Sequence, residues 1–420
     1  MTSSLAAPGQ LRVATVDEIR AHFPALQREH HGRPVAYFDG PGGTQVPRTV
    51  TDTVTDYLLH HNANTHWRYP SSRETDAMLE AAREALADLL GASPEEVAFG
   101  ANMTTLTFHL ARGLGRAWGE GDEIVVTELD HHANIAPWRA LERERGVTVR
   151  EVPLVPETGQ LQWEALQRAL SGRTRLLAIG AASNALGTIS DVVRAVQLAR
   201  DAGALTFVDA VHYAPHRLVD VRAIGCDFLA CSAYKFYGPH IGVVYGRGER
   251  LAAVDIPKLE PAPDTAPERL ETGTLNHEGI AGAAAAVNFL ASLQPGTGNR
   301  RERLRAVYGE LDRRGLALVQ RLLDGLQATA GVRVFGPPAA SDRTPTVAFI
   351  LGDRHADDVA DALAEEAVFV STGDFYATSV VRRYGLAARG GLVRAGCAAY
   401  TTADEVDRLV AGVARLARAR

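Results

Sequence analysis

Cysteine is scarce. The 420 residues contain three, Cys226, Cys231 and Cys397. An odd number with no CxxC spacing excludes a disulfide framework and points to a reducing compartment. An excess of positive charge is absent too. With 44 Lys and Arg against 50 Asp and Glu, the net charge is −6. That argues against a nucleic-acid partner, which favours a basic face, and fits a soluble, cytoplasmic protein. No apolar run approaches the roughly 18 residues of a membrane span. The N-terminus MTSSLAAPGQLRVATVDEIR has no basic region ahead of a long apolar stretch, so no secretory leader and no membrane association are expected. What remains is ordinary globular composition, 46% hydrophobic and 22% charged,. At roughly 100–200 residues per domain the length fits two or three domains, or a large one with a satellite.

Along the chain, residues 1–35 read as an N-terminal arm and helix that pack with a small C-terminal domain. The first fourteen or so form a loose arm, and Val16–Glu29 a short helix capped by Thr15 or Asp17,. Residues 36–290 form the large domain. Val97–Gly100, Glu123–Leu129, Leu176–Ala181, Leu205–Ala210, Phe228–Cys231 and Gly242–Gly246 are short apolar or β-branched runs. Helical segments such as Arg73–Gly91 and Asp191–Ala202 alternate with them. This is the pattern of an α/β fold with a mainly parallel sheet covered by helices. Residues 291–420 form a smaller α+β domain, with helices over Arg300–Ala330 and Ala403–Ala419 and strands over Thr346–Leu351 and Val368–Ser371. The stretch Pro257–Pro267 reads as an exposed connection, and no internal repeat is present.

Within FLACSAYKFYGPHIGVVYGR, Lys235 falls in the turn between two core strands. Lysine is seldom buried unless paired, and one held there has a lowered amine pKa and can act as a nucleophile. The bland alternative is a lysine snorkelling from a strand end. Asp209 ends the apolar run ALTFVDA, where a carboxylate needs a cationic or hydrogen-bonding partner or serves as a helix cap,. Asn184 and the pair His131 and His132 follow other strands, as polar loops or as ligand contacts,. ANMTTLT, with Asn102 and Met103, follows a strand and opens a helix whose backbone N–H groups suit a phosphate, and Ser232 suits one as well,. Open α/β sheets place ligands at such carboxyl ends. Lysine, aspartate, stackable histidine, amide and phosphate loop at one sheet edge are what pyridoxal 5'-phosphate requires. A rival set, His131, His132, His212 and His216 as ligands of a metal-dependent hydrolase, lacks a completing carboxylate cluster, and Pro215 disfavours a helix that would align the last two,.

The segments DHHANIAPW, SNALGT, VDAVH, SAYKFYGPHIGVVYGR, TGTLNHEGIAG and VRAGCAAYTTADEVDRL occur in this order between about Tyr37 and Leu409. Together they resemble the class V aminotransferase family, in its cysteine desulfurase-like branch, of fold type I pyridoxal-phosphate enzymes. The resemblance implies that Lys235 is the Schiff-base lysine, Asp209 the partner of the pyridine nitrogen and His131 the residue stacked on the ring. It implies further that Asn184 and His212 contact the cofactor, with His212 where many desulfurases carry glutamine. Thr274 would reach the phosphate in a partner subunit, which implies a homodimer with shared sites. Arg394 would grip the carboxylate of an amino-acid substrate, with Tyr376 and His66 also on the substrate side,. Desulfurases carry a nucleophilic cysteine on a small-domain loop. Here the corresponding stretch is Ser371-Thr372-Gly373-Asp374-Phe375-Tyr376, and Tyr234 replaces the histidine usual before the lysine. The expected activity is therefore a desulfurase-like C–S lyase without a protein persulfide, with an aminotransferase or epimerase as the alternative.

Overall fold

In the computed structural model, residues 12–419 are described. Most of the expected loose arm lies outside them. The main sheet has seven strands: β1 (Val97–Gly100), β2 (Glu123–Thr127), β3 (Thr148–Val152), β4 (Thr174–Gly180), β5 (Leu205–Asp209), β6 (Phe228–Ser232) and β7 (Gly242–Gly246). Their spatial order is β1-β7-β6-β5-β4-β2-β3. All neighbours pair in parallel except β7, which is antiparallel to both β6 and β1. Residues alternate between two apolar layers. Ala98, Ile124, Ala178, Phe207 and Ala230 face one cluster, while Phe99, Val125, Leu177, Val208 and Leu229 face the other. Two buried faces explain why these strands read as continuous apolar runs rather than as alternating ones.

Helices cover the sheet: α1 (Pro70–Leu90), α2 (Met103–Gly115), α3 (Val192–Asp201) and α4 (His277–Ser292). α1 stops where Gly91 turns left-handed, at φ 70°, as glycine C-caps do. The second sheet runs β8 (Val332–Phe335), β9 (Thr346–Leu351), β11 (Leu392–Gly396), β10 (Ser371–Gly373) in space, all antiparallel. The helices α5 (Arg300–Gln327), α6 (Ala356–Ala364) and α7 (Ala403–Arg418) belong to this part of the chain.

Three expectations change in detail. The first helix spans only Val16–Arg20, with Thr15 as its cap in a reciprocal capping box with Glu18. Pro24 opens a separate 3-10 turn, because proline restricts the residue before it to extended backbone. The expected strand Val368–Ser371 divides. Val368–Phe369 pairs with Ala36–Tyr37, and Ser371–Gly373 joins the second sheet. Ala36 and Phe38 consequently share the core of that sheet with Val347 and Phe349. Finally, Thr148–Val152 is an additional edge strand, masked in the sequence by its charged residues Arg150 and Glu151.

Candidate active site

Three neighbouring strands end at one edge of the main sheet. In the ladder Asp209 is level with Gly180 on β4 and with Ala230 on β6. Two residues further along β6 is Ser232, and the tight turn Ala233–Lys235 follows at once. This register brings the carboxylate, the serine and the lysine to one pocket of about 540 Å³, which Asn102, Met103, His131, Asn184, His212 and Tyr234 also line. Gly242 lets β7 start directly against the α2 entry, since a Cβ there would lie 2.4 Å from the Asn102 carbonyl carbon.

Lys235 is buried, and its Nζ donates to the carbonyls of Pro41 and Gly42, the latter at 3.0 Å. Burial, reinforced by the Arg394 charge and partly opposed by Asp209, lowers the amine to about 7. The chain therefore holds an amine that gives up its charge near neutral pH, far below the ordinary lysine range. Asp209 accepts a 2.8 Å bond from the Val211 N–H. Burial lifts its carboxyl to about 6 against that bond and the Lys235 charge. A cation set against it would restore the carboxylate.

At the α2 start, the Met103 N–H donates to Ser232 Oγ at 3.1 Å, and the Asn102 side chain caps the Thr105 N–H at 2.8 Å. His131 sits in a turn anchored by buried Asp130, whose oxygens accept from Thr127 Oγ1 at 2.6 Å and Asn134 Nδ2 at 2.8 Å. The His131 Nδ1 accepts from the Ala133 N–H at 3.0 Å. Burial and then the Lys235 and Arg394 charges push His131 down to about 4, so its imidazole is neutral.

Arg394, on β11, enters the same region from the second sheet. Its guanidinium donates to the Asn184 carbonyl at 2.9 Å and lies 4.0 Å from the centre of the Phe375 ring. Burial pushes it down to about 9 while Asp39 pulls it back up, so it remains a cation at neutral pH. Its Nε has no partner among the described residues. The Asn184 Nδ2 donates to the Phe375 carbonyl at 2.9 Å, which fixes the amide orientation and leaves Asn184 Oδ1 buried and unpartnered. Tyr376 places its ring 5.4 Å from that of His131, and its carbonyl accepts from the His132 N–H at 2.6 Å.

Two predicted residues lie elsewhere. His66 is exposed and paired with Asp76 at 3.2 Å. Thr274 is exposed in the loop before α4. Neither lines the pocket of its own chain. Of the four histidines in the rival metal set, His212 and His216 have ring centres 5.3 Å apart. Among the described residues the three-ligand grouping is a different one, His30, His31 and Glu365, at the surface. Asp130, Asp39, Phe375, Thr344 and Thr346 carry site geometry that sequence reasoning missed. For Asp130 the signal is legible in DHHAN, where the aspartate bonds the asparagine four residues on.

A profile of the aminotransferase class-V family matches residues 36–409. The cysteine desulfurase of Dickeya dadantii (strain 3937) is 35% identical over 419 residues, covering 96% of this chain and 97% of that one. The cysteine desulfurase of Klebsiella pneumoniae (strain 342) is 36% identical over 418 residues, with coverage of 96% and 98%. Among solved structures, the apo cysteine desulfurase of Thermococcus onnurineus NA1 superposes with a TM-score of 0.86 at 28% identity over 100% of both chains. The cysteine desulfurase CsdA of Escherichia coli, in an S-sulfonic acid form, gives 0.83 at 29% identity over 97% of this chain and 100% of its own.

Fold and site together define a fold type I enzyme that depends on pyridoxal phosphate. The chain belongs to the aminotransferase class-V family, in its cysteine desulfurase-like branch. The pocket fits that cofactor. An amine that deprotonates near neutral pH suits an aldehyde, and a buried carboxyl suits a ring nitrogen. His212 Nδ1 and Asn184 Oδ1 are buried polar atoms without a partner among the described residues.

Proposed function

We propose that this enzyme acts on a small amino acid as a desulfurase-like C–S lyase, releasing the side-chain group by β-elimination without forming a persulfide on the protein. One observation carries this. Cys226, Cys231 and Cys397 are all buried and unpaired, and burial pushes each thiol up to about 12. A persulfide-forming cysteine must be exposed with a lowered pKa. The loop nearest Arg394 and His131 offers Asp374, Phe375 and Tyr376 instead.

The residue roles follow from their surroundings. When bound, pyridoxal phosphate supplies an aldehyde for an amine and an electron-accepting ring that acidifies the carbon next to the amino group. Lys235 would carry the cofactor and, once free as an amine, would take the α-proton. Asp209 would hold the ring nitrogen, and His131 would lie against the ring. Asn184 and His212 hold polar atoms at its edge. Ser232, Asn102 and Met103 frame the phosphate end, where the α2 dipole favours an anion. Arg394 holds the substrate carboxylate, a match of fork geometry to two oxygens. Its buried, partner-poor guanidinium supports this. Tyr376, exposed above His131, contacts the substrate side chain.

We infer that the working unit is a two-fold homodimer in which Thr274 and His66 reach the neighbour's pocket. Leu58, Leu59, Trp67 and Tyr69 are exposed on the same segment as His66. The Tyr57 hydroxyl bonds His277 Nδ1 at 3.2 Å, tying that segment to the loop of Thr274. Three unpaired cysteines and the absence, among the described residues, of any helix long and apolar enough to cross a membrane support a cytoplasmic place. The test is a screen of amino acids against the purified protein. Sulfide or thiol with pyruvate supports elimination. A keto acid with the cofactor left in its amine form supports transamination, and racemised substrate supports an epimerase.

A further inference from the structure

His212 Nε2 lies 3.0 Å from Thr344 Oγ1 and 3.1 Å from Thr346 Oγ1. Thr346 opens β9 and Thr344 precedes it, so both hydroxyls come from the small-sheet side to a histidine that lines the main pocket. Both threonines are fully buried. Each hydroxyl has one proton to donate. Thr344 has a second acceptor, the Gly187 carbonyl at 3.4 Å. Thr346 Oγ1 has His212 Nε2 as its partner. A buried hydroxyl proton without an acceptor is costly, so Thr346 donates and Nε2 accepts. A neutral ring then carries its proton on Nδ1. Burial, with His216, Arg394 and Lys235 nearby, keeps the ring neutral. Nδ1 itself is buried and finds no partner among the described residues. The opposite tautomer would strand the Thr346 proton and still leave Nδ1 unsatisfied.

The threonines are held in turn. The Thr346 N–H donates to the Thr344 carbonyl at 2.7 Å. The fully buried Arg343 donates to the Thr346 carbonyl at 2.6 Å and to that of Pro337.

We propose that Thr346, seconded by Thr344, is a positioning residue that locks His212 in the Nδ1–H tautomer, so that the ring donates a hydrogen bond to an oxygen of the group bound in the pocket. The oxygen class is a phenolate or similar acceptor, as on pyridoxal phosphate. Asn184 Oδ1, an orphan acceptor in the same pocket, complements this donor. The small sheet thereby sets the hydrogen-bond character of a residue on the large-sheet side.

The test is ¹⁵N spectroscopy of histidine-labelled full chain, with and without pyridoxal phosphate, the His212 signals being identified by their loss in His212→Gln. The expected result is a protonated Nδ1 and an unprotonated Nε2 in the parent. Thr346→Val keeps the volume but removes the proton donor. It should bring up a population protonated at Nε2 and weaken pyridoxal-phosphate retention about five- to tenfold, the effect of one hydrogen bond. Thr346→Ser should restore both. A parent protonated at Nε2, a Thr346→Val protein with unchanged tautomer and retention, or a serine variant no better than the valine would each overturn the proposal. None of these readings involves turnover, so a failure of the elimination chemistry leaves the outcome distinct.

Discussion

On the large-sheet side of the pocket, Asp209, Ser232 and Lys235 project from strand ends whose register is set by continuous ladders with β4, β6 and β7. On the small-sheet side, Phe375 and Tyr376 occupy a short loop in which both residues have φ of 55°, and Tyr376 is 70% exposed. Residues with side chains pay for such left-handed backbone with strain. The loop is kept in place by contacts across the pocket with Asn184 and His132 and by Arg394 on its own side. The first side is a rigid carrier for an amine and a carboxyl. The second is where the proposed departure from a protein persulfide would lie, with Asp374, Phe375 and Tyr376 on the loop near His131 and Arg394. In the proposed function the large-sheet side would supply the amine and carboxyl chemistry, and the small-sheet side would select what leaves the substrate.

If that division is right, damage on the large-sheet side should be the more severe. Lys235→Ala should lower turnover by about 10³-fold or more, as loss of a general base does, and abolish the visible band of the bound cofactor while circular dichroism stays native. Unchanged absorbance and rate would break the comparison at its firmest point. Asp209→Ala should cost about 10²-fold in kcat, the scale of a lost electrostatic stabiliser, and weaken cofactor retention less. Steady-state kinetics with added pyridoxal phosphate measures both.

Arg394→Lys keeps the charge but loses the fork. It should raise KM for the amino acid about tenfold or more, from one or two charge-assisted bonds, with a smaller change in kcat. A change in kcat alone would move Arg394 out of substrate binding.

The buried amine also has a stability signature. With the cofactor removed, Lys235 titrates at about 7 when folded against an ordinary 10.5. Between those values the unfolded chain binds the proton and the folded one does not, so stability rises with pH across that window. Below about pH 7 the full penalty is present. Lys235→Met, without a charge to bury, should be more stable than the parent near neutral pH by on the order of a few kcal/mol. The gap should close as pH approaches 10. Urea midpoints at several pH values measure it, and a gap independent of pH would show that the amine is not titrating in the folded state.

Much of the large-sheet side was legible in the sequence. Apolar runs ending in Asp209 or just short of Lys235 mark strand ends, and the edge where open sheets bind ligands follows from topology. The antiparallel placement of β7 was not legible, since its apolar residues look the same in either direction. On the small-sheet side Arg394 was found through motif order, but the clamp of Thr344 and Thr346 on His212 was not. It joins residues 132 and 134 positions apart, and no local spacing encodes such a contact. Phe375 has no spacing or neighbour in its loop that marks it as a site residue. Its stacking under Arg394 depends on a backbone bend that nothing in Gly373-Asp374-Phe375-Tyr376 announces beyond the glycine.

The claim at the centre is that sulfur, if it leaves a substrate here, does not pass through a cysteine of this chain. The direct measurement is turnover of the protein with Cys226, Cys231 and Cys397 all replaced by alanine, with sulfide and pyruvate followed together. All three positions are buried, so rates are taken per folded, cofactor-loaded subunit. Turnover within about tenfold of the parent, roughly 1.4 kcal/mol of barrier, is the predicted result. A loss of several orders of magnitude on replacing one of them, with a sulfur label trapped on that residue in the parent, would contradict it.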